Sequence, residues 1–571
     1  MSTTESPFGG FPEGPAGFGL PDGLPDENFL RDLANQFFKA PLVSQEFVPP
    51  ASQGAAPSVP GSVAGSGISP SAVKPSAVNQ GNSVDLADPQ TSLPDPHFAG
   101  TGQVPASVAG SGISPSYIGS GAGGRPAASQ SPFASDTAYY FISEKNHLIN
   151  PRPNRPAYTA LPAAPYDVNQ VRRDFPILRE YVNGRPLVWL DNAATTQKPQ
   201  SVIDRISHFY QHENSNVHRA AHELAARSTD AYEGARGKVR QFLNAASPNE
   251  IVFVRGATEA INLVAKSWGQ QFLQPGDEII VSHLEHHANI VPWQQLAAVK
   301  GLKLKVIPVD DDGQVMLDAY SGLLSNKTKL VSFTQVSNAL GTVTPAEKMV
   351  AMAHAVGAKV LVDGAQAVSH MPVDVRSLDC DWYVFSGHKV FGPTGIGVLY
   401  GKEDLLNEMD PWQGGGNMIR DVTFEHTTYQ QAPLRFEAGT GNIADAIGLG
   451  AAIDYVSGIG MHLISQYEHY LLEYATRLLK DIPGLRLIGT APDKAGVLSF
   501  VLGGYRTEEV GTALNQSGIA VRSGHHCAQP ILRRFGLEST VRPSLALYNT
   551  CSDIDALVSV LRRLRTARPG F

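Results

Sequence analysis

From Tyr166 onward, short apolar runs rich in β-branched residues alternate with segments of helical spacing, and this alternation restricts the fold more than any other feature. The runs include "EIVFVRG", "DEIIVS", "LKVIPVD", "KLVSFTQV", "KVLVDGAQ" and "WYVFSG". Between them lie "TEAINLVAKSW" and "PAEKMVAMAHAVGA", the latter opened by Pro345. "SVIDRISHFYQH" places Val202, Ile206, Phe209 and Tyr210 at helical spacing. Strands that are apolar on both faces need cover on both sides, so the pattern predicts βαβ units around a mainly parallel sheet. Past about Gly450, "ISQYEHYLLEYATRLLKDI" precedes "AGVLSFVL", which predicts a smaller α+β domain. The expected division is 166–190 as an N-terminal segment of the small domain, 191–450 as the large domain and 451–571 as the small C-terminal domain.

Residues 1–165 have another character. Gly, Pro, Ser and Ala dominate, and long apolar periodicity is missing. Such a composition buries too little apolar surface to offset the entropy of ordering, so this stretch is expected to be a disordered extension. Within it "SVAGSGISPS" occurs at Ser62–Ser71 and again, identically, at Ser107–Ser116, each copy preceded by a Val-Pro pair. A duplicated linker would look like this. So would a short peptide read twice by one kind of pocket, with Val63/Val108 and Ile68/Ile113 as apolar anchors. Asp26–Leu42 could form a short amphipathic helix, and Ser135–Glu144 is another apolar island.

The bulk numbers exclude several classes. A net charge of −8 gives no reason to expect nucleic acid or an anionic membrane as a partner. The three cysteines, Cys380, Cys527 and Cys551, form no CxxC pair and argue for a reducing compartment. No apolar run reaches membrane-spanning length, and "MSTTESPFGG" lacks the features of a secretory signal, so a cytoplasmic location is expected.

The chemistry concentrates at the ends of the apolar runs. Asp363 ends one run and Lys389 follows another, in "FSGHKVFGPTGIG". In open α/β sheets ligands sit beyond the carboxyl ends of strands. An acid and a lysine there match the needs of pyridoxal phosphate. The lysine forms a Schiff base with its aldehyde, and the acid keeps its pyridine nitrogen protonated so that the ring becomes an electron sink. Ala257 and Thr258, at a strand-to-helix turn, would hold a phosphate at the helix N-terminus, although Thr258 could equally be a cap. Ser386 and His388 offer further phosphate donors. His286, in "EHHANIVPW", fits an imidazole stacked on the ring. Zinc competes for the histidines of "GHHC", but neither thiolate pairs nor HxxxH-type spacing is present, and no metal is expected. Cys527 lies in a Gly-rich loop where neighbouring His and Arg favour the thiolate. Arg542 could grip a substrate carboxylate. Cys380 reads as a core thiol, and Cys551 has no obvious charged neighbourhood.

Together "LDNAATTQKP", "NVHRAAHELA", "FVRGATEAINLVA", "EHHANIVPWQ", "VSNALGT", "VDGAQAV", "FSGHKVFGPTGIG", "GGGNMI", "FEAGT", "RSGHHCAQP" and "SLALYNT" resemble the SufS-type (group II) cysteine desulfurases, from about Asp174 to the C-terminus. These belong to the class V branch of fold type I pyridoxal-phosphate enzymes. The resemblance implies that Lys389 is the Schiff-base lysine and proton shuttle, that Asp363 pairs the pyridinium, that Gln366 meets the ring hydroxyl and that His286 stacks on the ring. It implies that Ala257, Thr258, Ser386 and His388 hold the phosphate, with Thr440 reaching in from the second subunit of a homodimer. Asn338, Arg522 and Arg542 would position L-cysteine, and Cys527 would take its sulfur as a persulfide. The products would be alanine and sulfur passed to a SufE- or SufU-like acceptor for iron–sulfur assembly. The Cys527 loop looks short, which implies slow turnover without that acceptor. Gly441 stands where the family often has Pro, which weakens the expected subunit contact there. The long N-terminal extension resembles those of desulfurases packaged as cargo in encapsulin shells, which would place the enzyme inside a protein nanocompartment. A selenocysteine lyase shares nearly every motif. An inactive scaffold is the alternative from another class, disfavoured by the intact Lys389, Asp363 and Cys527.

Overall fold

The structure, a computed structural model, describes residues 166–218 and 222–568. All of them fall in one compact unit, Ala122–Phe571. The repeated decapeptide, the Asp26–Leu42 segment and the Ser135–Glu144 island lie outside the described residues.

The chain enters through β1 (Val188–Trp189) and the helices α1 (Gln200–His212) and α2 (Glu223–Phe242). A seven-stranded sheet follows, built from β2 (Ile251–Val254), β3 (Glu278–Ser282), β4 (Lys303–Ile307), β5 (Thr328–Thr334), β6 (Lys359–Asp363), β7 (Trp382–Ser386) and β8 (Gly397–Gly401). Its order is β2-β8-β7-β6-β5-β3-β4. The β3–β4, β3–β5, β5–β6 and β6–β7 pairs are parallel, and only β8 runs against its neighbours. This is the mainly parallel sheet that the alternation predicts, and the apolar runs become strands buried on both faces. The edge strand β4 differs, with Lys303 exposed and Lys305 half-buried; charges of this kind discourage pairing with another chain. The smaller layer holds β9 (Leu485–Leu487), β10 (Phe500–Leu502), β12 (Arg522–Gly524) and β13 (Thr540–Arg542) in the order β9-β10-β13-β12, all antiparallel. β11 (Ile519–Ala520) instead pairs in parallel with β1, which ties residues 188–189 to the C-terminal part of the chain.

Three local expectations change in the folded chain. The division expected at 450/451 falls inside the continuous helix α4 (Ile443–Ile459). That helix is apolar around its whole circumference, as a helix surrounded by protein must be, and it packs against both α1 and α2. Glycine permits the contact: a Cβ on Gly448 would stand 2.7 Å from Pro393 Cγ and 2.8 Å from Ile206 Cδ1. Pro345 takes the N-cap position of the helix Ala346–His354 rather than its first turn. On α1, Val202 and Phe209 are buried but Tyr210 is exposed, because only one stripe of the helix faces α4.

One ion pair joins α2, β2 and the 3₁₀ turn Leu434–Phe436. Arg236 is fully buried; its Nη1 donates to Glu437 Oε1 at 2.7 Å and to Ile251 O at 2.7 Å, and its Nη2 donates to Glu437 Oε2 at 3.0 Å. The Phe253 N–H donates to the same carboxylate at 2.8 Å. Removing Glu437 leaves the buried Arg236 only the partly exposed Glu233 carboxylate, 2.9 Å from its Nε, as a charged partner. Glu437→Ala is therefore expected to cost about 3–5 kcal/mol, read as a lower urea midpoint at unchanged slope.

Candidate active site

The parallel strands deliver their last residues to one edge of the sheet. β6 ends at Asp363, β7 ends at Ser386, and a 3₁₀ turn over Gly387–Lys389 follows directly. β3 runs into the segment that carries His286, β5 into Asn338, and β2 into Gly256 and the helix α3 (Ala257–Val264). The smaller layer supplies Arg522 from β12, Arg542 from β13 and Cys527 from the four-residue connection between β12 and the helix Gln529–Arg534. One pocket is lined by Ala257, Thr258, His286, Asn338, Asp363, Gln366, Ser386, His388, Lys389, Arg522, Cys527 and Arg542. Every residue expected from the sequence is there except Thr440. Thr440 is exposed and lines a separate cavity with Arg255, Glu259 and Trp412. Among the described residues no group of three or more His, Cys, Asp or Glu side chains is disposed to hold a metal ion.

Burial sets the electrostatics. Lys389 is held down to about pH 8, first by desolvation; the nearby charges of Asp363 and Cys527 pull upward against it, and Arg542 and Arg522 add to the lowering. Asp363 is pushed up by the same burial, opposed by a hydrogen bond of 2.9 Å from the Ala365 N–H and by Lys389. His286 falls to about 3, through burial and then the Lys389 charge, so it is neutral; its Nδ1 accepts from the Ala288 N–H at 3.1 Å. His388 falls to about 4, again mainly by burial. Behind Asp363, Gly364 has no room for a side chain, since a Cβ would lie 2.0 Å from the Tyr383 ring.

The remaining groups are fixed by bonds of long sequence separation. Gln366 Nε2 donates to Ala193 O at 2.7 Å. Ser386 Oγ accepts from the Ala257 N–H at 2.9 Å and so anchors the start of α3, which has no side-chain cap of its own. Arg542 is buried; its Nη1 donates to Asn338 O at 2.9 Å and its Nη2 to Asp191 Oδ1 at 3.1 Å. Arg522 has no protein partner among the described residues. Asn338 Nδ2 donates to His526 O at 2.7 Å. His526 is itself buried and hydrogen-bonded to Thr540 Oγ1 at 2.8 Å.

Sequence reasoning gave no site role to the 191–198 segment. The His388 carbonyl, one bond before Lys389, accepts from the Thr196 N–H (3.0 Å), Thr195 Oγ1 (3.1 Å), Thr196 Oγ1 (3.1 Å) and Lys198 Nζ (3.3 Å). These donors lock the peptide that presents the lysine. They stand in the motif "LDNAATTQKP", but nothing local reveals their partner, which is nearly two hundred residues away in sequence. His526 and Cys527 adopt left-handed backbone conformations, with φ of 53° and 54°. Such conformations cost non-glycine residues about 1–3 kcal/mol each and survive only where surrounding contacts impose them.

A pyridoxal phosphate fits this donor set. The pocket holds a buried carboxylate, a desolvated lysine, a neutral histidine, and an uncapped helix start flanked by hydroxyls. Asn338 Oδ1, Arg542 Nε and His526 Nδ1 are buried around it without a protein partner. Unsatisfied polar atoms of this kind call for a ligand or water.

Comparison with known proteins agrees with this geometry. The model of the aminotransferase class-V family matches residues 188–557. A cysteine desulfurase of Synechococcus elongatus is 72% identical over 404 residues, covering 71% of this chain and 64% of the relative. A probable cysteine desulfurase of Mycobacterium leprae is 64% identical, covering 70% and 65%. The chain thus spans just under two thirds of the length of these two relatives. A cysteine desulfurase of Dickeya dadantii is 54% identical and is covered over 98% of its length. Among solved structures, the cysteine desulfurase CsdA of Escherichia coli superposes with a TM-score of 0.65 at 42% identity, covering 70% of this chain and 99% of its own. The shared architecture is that of fold type I pyridoxal-phosphate enzymes, a mostly parallel central sheet with helices on both faces.

The Lys389 environment has a direct consequence. Its neutral fraction rises as pH passes 8, against about 10.4 for ordinary lysine. Amine-directed modification of Lys389 in cofactor-free protein is expected to show a midpoint near pH 8 by peptide mass spectrometry. Asp363 opposes the lowering, so Asp363→Asn moves that midpoint further down.

Proposed function

This chain belongs to the aminotransferase class-V family, and on that premise we propose that it is a pyridoxal-phosphate-dependent cysteine desulfurase of the SufS type. L-cysteine and the Cys527 thiol give L-alanine and a Cys527 persulfide. The observation that carries the reading is the convergence of Lys389, Asp363 and Cys527 on one pocket from three separate parts of the chain. The relatives named above support it.

Bound in this pocket, pyridoxal phosphate supplies an electron sink for the pair left on the substrate carbon when the carbon–sulfur bond breaks. The protein does the rest. Asp363 holds the ring nitrogen, Gln366 the ring hydroxyl, and His286 covers the ring face as a neutral imidazole. Ala257, Thr258, Ser386 and His388 hold the phosphate at the start of α3. Arg522 and Arg542, with Asn338, receive the substrate carboxylate. Arg542 suits that task because Asp191 and the Asn338 carbonyl already orient its guanidinium. Lys389 Nζ holds the cofactor and, with its proton affinity reduced by burial, takes the proton from the substrate α-carbon. The Cys527 thiolate attacks the substrate sulfur, a sulfur–sulfur bond forms, and the carbon–sulfur bond breaks.

The four-residue connection that bears Cys527 supports the SufS type, in which a protein with an acceptor thiol, SufE- or SufU-like, collects the sulfur. The exposed Thr440 fits a homodimer in which it completes the partner's phosphate site. The duplicated peptide of residues 1–165 fits a two-point tether to a larger assembly, an encapsulin shell that would enclose the cytoplasmic enzyme as cargo.

Alanine release from L-cysteine by the purified holoenzyme tests the core of this. Cys527→Ala is expected to lower it by more than about a hundredfold while the visible absorbance of the bound cofactor persists. Wild-type protein that holds the cofactor and releases no alanine overturns the reading; activity of Cys527→Ala on selenocysteine would identify a lyase instead. Deleting residues 1–165 is expected to leave alanine release intact and to abolish shell association.

A further inference from the structure

Two histidines outside the cofactor's reach tie down the Cys527 loop, and the catalytic reading leaves both without a task. The His287 backbone N–H donates to Cys527 O at 2.7 Å. The Gln529 N–H donates back to His287 Nε2 at 3.3 Å. On the other side of the thiol, the Cys527 N–H donates to His525 Nδ1 at 3.0 Å. The two imidazoles stack on one another, with centroids 5.7 Å apart and planes 24° from parallel. Both rings act as acceptors, so both must be neutral with their protons on the opposite nitrogens. Partial burial and the neighbouring His525 lower the His287 proton affinity, which keeps it in that form.

These contacts bracket the two left-handed residues, His526 and Cys527. They add to the bonds that impose this conformation on both residues, which include Asn338 Nδ2 to His526 O and His526 to Thr540 Oγ1. Of residues 525–528 only His525 is exposed; His526 and Ala528 are buried and Cys527 is intermediate. A protein arriving from solvent therefore meets the His525 ring before it meets the sulfur.

We propose that His287 and His525 form a latch that holds Cys527 against the cofactor pocket, and that a thiol-bearing acceptor protein unloads the sulfur by displacing the exposed His525 ring. The proposal rests on the reading of Cys527 as the sulfur carrier. In unloading, the acceptor thiolate attacks the outer persulfide sulfur. A new sulfur–sulfur bond forms on the acceptor, the old one breaks, and Cys527 departs as the thiolate. Cys527 is held at its N–H by His525 and at its carbonyl by the His287 backbone, so the connection turns further outward only when one of these bonds is released. Releasing His525 frees the Cys527 N–H and lets the loop relax. The latch makes His287 and His525 positioning residues that act through the loop backbone.

The test uses the full-length holoenzyme. Iodoacetamide alkylation of Cys527, followed by peptide mass spectrometry without substrate, reads loop release directly. His525→Ala and His287→Leu are expected to raise the alkylation rate about threefold to tenfold, the effect of losing one net hydrogen bond. His525→Asn is expected to stay within about twofold of wild type, because an asparagine oxygen accepts from the N–H two residues on. Alanine release with dithiothreitol as the sole sulfur acceptor is expected to rise in the two released variants and not in His525→Asn. Unchanged alkylation in His525→Ala, or His525→Asn behaving like His525→Ala, overturns the latch. Alkylation needs no turnover, so protein that releases no alanine in any form sinks the desulfurase reading while the latch is still judged on the alkylation rates.

Discussion

The desolvation of Lys389 beside Asp363 is the constraint around which the rest of the molecule is arranged. A buried amine loses hydration that only a charged partner or a reaction can replace, and here burial outweighs the attraction of Asp363, leaving the amine near pH 8. Such a state needs a rigid, water-poor enclosure. The parallel sheet provides it by ending adjacent strands, β6 and β7, on the acid and on the lysine turn. The helix packing on both faces of the sheet keeps that edge from fraying, with α4 threaded against α1 and α2 through side-chain-free glycines.

The pocket is closed by chain segments that come from far away. The 191–198 segment crosses beneath the lysine turn and fixes the His388 carbonyl with four donors. β13 brings in Arg542, which reaches back to Asp191 and to the Asn338 carbonyl. Together these bonds tie the large sheet, the smaller antiparallel layer and the 191–198 segment to one another. The cofactor edge is therefore held by the same contacts that unite the two layers, and a substrate carboxylate bound at Arg542 would be felt in both. Cys527 sits where the layers meet, on a connection with left-handed backbone, and lines the same pocket as Lys389.

The sheet was legible because its strands are apolar on both faces and so differ from the amphipathic helices between them. β2, β3, β5 and β7 all show this, whereas β4 carries lysines because it is an edge. Two pocket residues were legible because each closes a recognisable run: Asp363 ends β6, and Lys389 follows β7 within one turn. The division expected at 450/451 falls within α4, because a helix without a single apolar stripe does not say which layer it serves. Asp191, Thr195, Thr196 and Lys198 stand in a quoted motif, "LDNAATTQKP", but their contacts were not legible, since hydrogen bonds across such sequence separations leave no periodicity behind. The pairing of His287 with His525 was invisible for the same reason, although both histidines stand in the motifs that drew attention.

By itself the sequence determined the class of the fold, the order of its elements and which titratable groups stand at the strand ends, because burial pattern and residue type are local properties of the chain. Only the tertiary structure decided which charges those groups carry and how firmly they are held. The neutrality of His286, the lowered Lys389 and the left-handed backbone at Cys527 all arise from neighbours supplied by distant segments. Desolvation and backbone strain are properties of an enclosure, and an enclosure exists only once the chain has folded.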